Sequence, residues 1–180
     1  DRLYMATTLF KNINKYFNTY DLFAPKFIEY EDGIITNLNF PLICKPINAF
    51  GTYDAHKMAI IKNQKSLHKL KIVGGSILQE FHNHDGIIYK VYVVGDHYDV
   101  ICKESVKNIN PEDDFEVTYF NNTNFKTDSP DFSKLIDITK KIDFKLLNTY
   151  MRSLFTVDLF GYDVLKLSGC DKYAIIDVNY

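Results

Sequence analysis

Asp177 and Asn179 stand two apart near the end of an apolar run, "KYAIIDVNY", and Asp163 sits inside another, "FGYDVL". On a strand, residues two apart point to one face. Asp177 and Asn179 therefore share a face, and Ile176 and Val178 turn the other way, into a core. If the two runs pair as a hairpin around Ser168-Gly169, Asp163 joins them. Two carboxylates and an amide are hard oxygen donors of the kind that suit Mg²⁺, which commonly takes one or two carboxylates plus nucleotide phosphates. The alternative is a set of solvated acids near a turn, and spacing alone does not separate the two.

The cations come next. Lys45 ends the apolar stretch "FPLICKP", where Pro46 cannot donate to a ladder and pairing stops. A lysine on such a fixed scaffold is a point charge suited to a nucleotide phosphate; the alternative is a lysine snorkelling at a sheet edge. Lys90 interrupts "GIIYKVYVV", where a cation is costly unless it faces a cleft or a partner. It also suits an edge strand protected against aggregation. Lys103 lies on the opposite arm of the same hairpin, with Ser105 and Lys107 beyond it. In "AFGTYDAHKM", Gly51 lets the backbone approach an anion, and Thr52 and His56 add side-chain donors, but the spacing of a P-loop is absent. His82 and His84 of "HNH" have no third His or Cys nearby, so zinc is the weaker reading. No Ser or Cys sits in a nucleophile elbow.

These residues need elements to hold them. Leu3, Ala6, Phe10, Ile13 and Phe17 recur at helical spacing, which predicts a helix over 2–18 with Asp1 as its cap. "FAPKFIEYEDG" predicts a short strand entering a turn, "FPLICKP" a strand, and "NAFGTYDAHKMAII" a glycine loop running into a short helix or strand. "KLKIVGGSILQEF" predicts a strand broken at Gly74-Gly75. Residues 87–105 predict a hairpin turning at Gly95-Asp96. Residues 108–132, rich in Asn, Asp and Thr, predict a long surface loop. Phe144, Leu147, Met151, Leu154 and Phe155 mark a second amphipathic helix, and a final hairpin follows. The order predicts an α+β fold of two lobes meeting near residues 78–82.

Composition sets the bounds. The chain has 180 residues, 46% hydrophobic and 15% aromatic, with a net charge of −2. That is enough for a packed core, and it supplies no global field to recruit nucleic acid or anionic membrane. Cys44, Cys102 and Cys170 are odd in number and far apart, which argues against a disulfide framework and for a reducing compartment, the cytoplasm. No apolar run approaches a membrane span. The two ends, Asp1-Arg2 and Asp177-Val178-Asn179-Tyr180, do not look like natural termini; we expect a piece of a longer protein.

Taken in order, Asp1-Arg2, "FPLICKP", "GTYDAHKMAI", "LQEFHNHDGIIYKVYVVGD", "DLFGYDV" and "AIIDVN" resemble the inositol 1,3,4-trisphosphate 5/6-kinase family, also called inositol-tetrakisphosphate 1-kinases. The resemblance covers nearly the whole chain, patchily from Asn110 to Ser133. It implies an ATP-grasp fold, with 1–78 as the central lobe including the leading helix and 79–180 as the C-terminal lobe. It implies an ATP-dependent kinase of soluble inositol polyphosphates, a monomer needing one or two Mg²⁺.

The implied ATP contacts are Arg2, Lys45, Gln79, Glu80, Phe81, His82, Lys90 and Ser105, with backbone groups of 79–82 reading the adenine. The implied substrate contacts are His56, Lys90, Lys103 and Asn179. The implied metal ligands are Asp163, Asp177 and Asn179, and Lys45 and Lys90 carry the catalytic charge. Lys103 stands where the family often has arginine. Family members also have an N-terminal lobe with substrate-binding lysines and a phenylalanine-proline-glycine stretch after D-x-N, and neither is present here. Rival readings are an ATP-grasp carboxylate-amine ligase and a binding module without turnover.

Overall fold

The computed structural model describes the chain apart from residues 18–20, 31–34, 36, 49–55, 72–74, 113–115 and 122–131, and describes the backbone alone at 132–135. Its frame is two five-stranded sheets. The first runs β2 (Phe27–Tyr30), β5 (Ser76–Glu80), β3 (Leu42–Pro46), β4 (Lys57–Ile61) and β8 (Thr118–Asn121), all antiparallel. The second runs β1 (Leu22–Phe23), β10 (Tyr173–Asn179), β9 (Leu159–Lys166), β6 (Ile87–Val94) and β7 (His97–Glu104), antiparallel except for the short β1–β10 pair.

Helices cover one face of the second sheet. α1 (Arg2–Tyr16) starts at Asp1, whose carboxylate accepts the Tyr4 N–H at 3.1 Å, and buries Met5, Ala6, Leu9 and Ile13. The buried stripe is thus shifted from the expected one, and Leu3 and Phe10 lie at its half-buried margin. α4 (Phe144–Phe155) starts at Asp143, which accepts from Leu146 N at 3.0 Å. Its Phe144, Leu147, Met151 and Phe155 join one cluster with α1, with Ile138 and Ile142 at the end of α3 (Phe132–Lys141), and with Tyr89, Val91, Val164 and Ile175 of the sheet. A one-turn helix, α2 (Gln64–Leu67), follows β4.

Alternation does the rest. In β6, Tyr89, Val91 and Val93 are buried toward the helices, while Ile88, Lys90, Tyr92 and Val94 take the opposite face. β6 turns into β7 at Gly95-Asp96, with Gly95 at φ +57, a conformation that favours glycine.

Three features depart from the expectations. The leading helix, grouped with 1–78 on the sequence, packs on the second sheet, because its apolar stripe finds its partners in β9 and β10. Within the expected loop 108–132, Thr118–Asn121 forms β8 on the edge of β4; "TYFN" is a short edge strand with aromatic residues inside an Asn-rich stretch. Finally, α3 occupies residues to which the sequence assigns no element. The turn after β2 lies outside the described residues; of the strand expected over 69–81, residues 72–74 lie outside them, 69–71 are not strand, and β5 spans Ser76–Glu80.

One buried polar pair under the second sheet gives a stability test. Tyr162 Oη donates to Asn148 Oδ1 at 2.6 Å, and both residues are buried. Tyr162→Phe removes the donor and leaves Asn148 with neither amide atom satisfied, since its Nδ2 has no partner either. We expect a loss of about 1–3 kcal/mol in chemical denaturation, the cost of an unmet buried acceptor.

Candidate functional site

The two sheets face each other across a cleft holding a cavity of about 110 Å³. Ile43 and Met58 of the first sheet and Ile88, Leu165 and Ile176 of the second give it apolar walls. The cross-strand register builds its polar floor. Lys90 lies opposite Asp163, and Asp163 opposite Asp177, so one row of the second sheet carries a cation and two carboxylates on three adjacent strands.

A bulge tunes this row. Ile175 pairs with Val164 and Asp177 with Asp163, so Ile176 is an extra residue. Ile176 was expected to point into the core, opposite Asp177. Both instead line the cleft, because the bulge breaks the alternation, and Val178 returns to the core. The Ile176 carbonyl accepts the Lys45 ammonium at 3.0 Å.

The row is charged and poorly hydrated. Lys90 Nζ lies 2.7 and 2.8 Å from the two carboxylate oxygens of Asp163. Burial raises the Asp163 carboxyl above its ordinary range, and Asp177 pushes the same way against the pull of Lys90. Lys45, from the first sheet, is 3% exposed. Burial lowers its ammonium to about 8, with Arg2 and Lys90 adding to that and Asp177 and Asp163 opposing it. Lys45 is therefore not a snorkelling edge residue. Arg2 is buried beside it: its guanidinium donates to the Pro46 carbonyl and its Nε has no partner.

At the join between sheets, the Glu80 and Phe81 N–H groups donate to the carbonyls of Lys26 and Pro41, both at 2.9 Å. The Glu80 carboxylate accepts the backbone and side-chain N–H groups of Asn39, each at 2.9 Å. The "HNH" stretch is not a strand. His84 places one ring nitrogen 2.8 Å from the His82 carbonyl and the other 2.9 Å from Ser105 Oγ. With both nitrogens engaged, it acts as a brace that fixes the join to the end of β7. His82 lines the cleft, edge-on to Phe23, with Nε2 buried and unpartnered; burial lowers its pKa against the opposing pull of Glu80.

The structure thus gathers Lys45, Gln79, Glu80, Phe81, His82, Lys90, Lys103, Ser105, Asp163 and Asp177 around one cavity. Arg2 and Asn179 share an adjoining hollow with Asp177. His56 stands just before β4 and does not line the cavity. Gly51 and Thr52 lie outside the described residues. The His84–Ser105 brace and the apolar walls were missed on the sequence; an alternating apolar pattern was the only sign of the walls. Cys44, beside Lys45, is a buried thiol pushed up to about 11, with Ser76 opposing, which fits packing and not chemistry.

Residues 28–180 match the family model described as inositol 1,3,4-trisphosphate 5/6-kinase ATP-grasp domain. The chain belongs to this family. Within it, the chain is 32% identical over 170 residues to inositol-tetrakisphosphate 1-kinase 1 of Arabidopsis thaliana, covering 82% of this chain and 50% of that protein. To inositol-tetrakisphosphate 1-kinase of Xenopus laevis it is 29% identical over 191 residues, 95% of this chain and 47% of that protein. The chain therefore spans about half the length of the curated relatives it matches.

Among solved structures, N5-carboxyaminoimidazole synthetase of Staphylococcus aureus complexed with ADP aligns over 99% of this chain and 44% of its own, at TM-score 0.54 and 16% identity. The macrocyclase MdnC of Microcystis aeruginosa aligns over 99% and 51%, at TM-score 0.54 and 12% identity. At such identities these likenesses speak for the fold alone: the two-sheet frame is an ATP-grasp fold.

Proposed function

We propose that this chain is the nucleotide-binding part of an ATP-dependent kinase of soluble inositol polyphosphates, acting on inositol 1,3,4-trisphosphate at the 5 or 6 position and on inositol 3,4,5,6-tetrakisphosphate at the 1 position. The two sheets are the two lobes of the grasp, with the join at 79–82. The observation that carries this reading is the convergence of Lys45, Lys90 and Lys103 with Asp163 and Asp177 in one cleft. A ligase that activates a carboxylate has less use for three lysines there than an enzyme with two polyanionic substrates.

Phosphoryl transfer asks mostly for positioning and neutralised charge. Lys45 and Lys90, from opposite sheets, meet the triphosphate. Lys103, His56 and Asn179 hold phosphates of the acceptor, whose hydroxyl attacks the γ-phosphate in line. No residue in the cleft is assigned as general base, and a loose transition state does not strictly need one. Asp163, Asp177 and Asn179 would hold Mg²⁺. The donor set fits: Asp163 and Asp177 are cross-strand partners, Asn179 shares the face of Asp177, and all three offer hard oxygens, while Lys90, which holds both Asp163 oxygens, would have to share them. Mg²⁺ would neutralise charge on the phosphates. We place the protein in the cytoplasm, as a monomer. Among the described residues no helix is long and apolar enough to cross a membrane.

Calorimetry tests the reading. We expect ATP to bind the folded chain only with Mg²⁺. In the complete protein, inositol 3,4,5,6-tetrakisphosphate should be turned over and amino acids should not. Turnover with a carboxylate acceptor instead would move the protein to the ligases.

A further inference from the structure

The cleft face of the second sheet reads outward in rows. Ile88 and Leu165 lie innermost, among the cavity's apolar walls. Lys90, Asp163 and Asp177 form the next row, and Tyr92, Gly161 and Asn179 the one after it. Nothing in that third row is cationic; the residue opposite Tyr92 on β7 is Asp99. The row cannot attract phosphate by charge, yet it floors a cavity of about 560 Å³ shared with Lys90, Asp163 and Tyr180.

What the row offers is an aromatic ring. Tyr92 is 49% exposed. A Cβ on Gly161 would sit 3.5 and 3.8 Å from two of its ring carbons and 3.3 Å from the Val91 carbonyl oxygen. Glycine at 161 therefore lets the tyrosine ring lie close along the strand, one side against the backbone and the rest open to the cavity. Rows on one strand face are about 6.6–6.8 Å apart. A hydroxyl poised for attack lies roughly 3–3.5 Å from the phosphorus. With the transferred phosphate at the Lys90–Asp163–Asp177 row, a six-membered ring carrying that hydroxyl reaches the Tyr92 row.

We propose that Tyr92 is a substrate-positioning residue whose ring packs against the C–H face of the acceptor's cyclitol ring, an inference that rests on the kinase reading above. A cyclitol with mostly equatorial substituents presents axial C–H bonds on its faces, an apolar surface between anionic edges. Lys90 and Asn179 flank the platform and take the edges; Tyr92 takes the face and fixes which hydroxyl points at the γ-phosphate.

The test uses the complete protein, with inositol 3,4,5,6-tetrakisphosphate, pyrophosphate and Mg-ADP as separate probes. Tyr92→Ala should weaken tetrakisphosphate binding and raise its KM about tenfold, and leave pyrophosphate and ADP within twofold. Tyr92→Phe should behave as the unsubstituted protein. Tyr92→Leu, which keeps apolar bulk without a flat face, should show the alanine loss, so the comparison survives if the alanine variant folds poorly. Unchanged tetrakisphosphate binding in Tyr92→Ala, or an equal loss for pyrophosphate, overturns the platform and leaves the kinase reading standing. A protein that binds ADP and pyrophosphate but no cyclitol phosphate overturns the proposed acceptor, and the platform with it.

Discussion

Asp177→Asn in the complete protein should lower turnover by about a thousandfold and abolish the Mg²⁺ dependence of nucleotide binding, with little change in folding. The size follows from two losses at one position. The first is the carboxylate that would hold Mg²⁺ at the phosphates; losing that electrostatic stabilisation should cost on the order of 10²–10³ in rate, the scale of removing one preorganised stabilising group. The second acts through Lys45. Asp177 is the main group that raises the Lys45 pKa against burial, and even with its help the ammonium is held down at about 8. Without Asp177 the ammonium releases its proton at lower pH, so the triphosphate must restore that charge by proton uptake when it binds, which weakens binding.

The fold has little reason to change. Among the described residues, the Asp177 side chain accepts its hydrogen bond from the next residue's own N–H, at 3.1 Å. Steady-state kinetics, an Mg²⁺ titration of ATP affinity and a melting curve check the three parts. Retained Mg²⁺ dependence in the variant would remove Asp177 from the metal site. Retained turnover would remove it from the chemistry altogether.

How far the site is legible in the sequence differs residue by residue. Asp163 and Asp177 are, because strand alternation and a hairpin turn are local signals, and the hairpin aligns the two acids. Asp177 keeps its expected place on the cleft, but Ile176 does not. A bulge is a mismatch of register between β10 and β9, and only the pair defines it. Lys45 is legible as a fixed charge at a strand end, yet its depth is not. Its burial comes from the second sheet closing over it and from Arg2 reaching the Pro46 carbonyl. The same long-range closure explains α1, whose Met5, Leu9 and Ile13 give the helix a face without naming the sheet it covers. β8 was hidden differently: four residues of strand in a run of Asn and Asp give too short an alternation to stand out. The roles of His56 and the loop before it are expected from resemblance to the family alone; the described geometry neither places His56 on the cavity wall nor covers Gly51.

The second large effect is a pH dependence that belongs to Lys45. Its ammonium falls from an ordinary 10.5 to about 8, first because burial strips its water. Between those values the unfolded chain holds a proton that the folded one has released, so stability rises as pH climbs from about 8 toward 10.5. Below 8 the folded protein carries the full strain of a buried charge, on the order of 3 kcal/mol at 1.36 kcal/mol per pKa unit. Nucleotide binding runs the other way. A triphosphate beside Lys45 favours the charged form, so above pH 8 binding must take up a proton.

The affinity for ATP should therefore be level near pH 7 and fall toward tenfold per unit above 8, with close to one proton absorbed per nucleotide at pH 9. Calorimetry in two buffers of different ionisation enthalpy reads that proton directly. Cys44 does not confuse the window, since its thiol is held up at about 11. Lys45→Met, which keeps the chain length and drops the charge, should bind ATP weakly and with no slope from pH 7 to 9. A level affinity over that range in the unsubstituted protein would mean that the phosphates do not meet this ammonium, and would leave Lys90 and Arg2 as the cations that hold them.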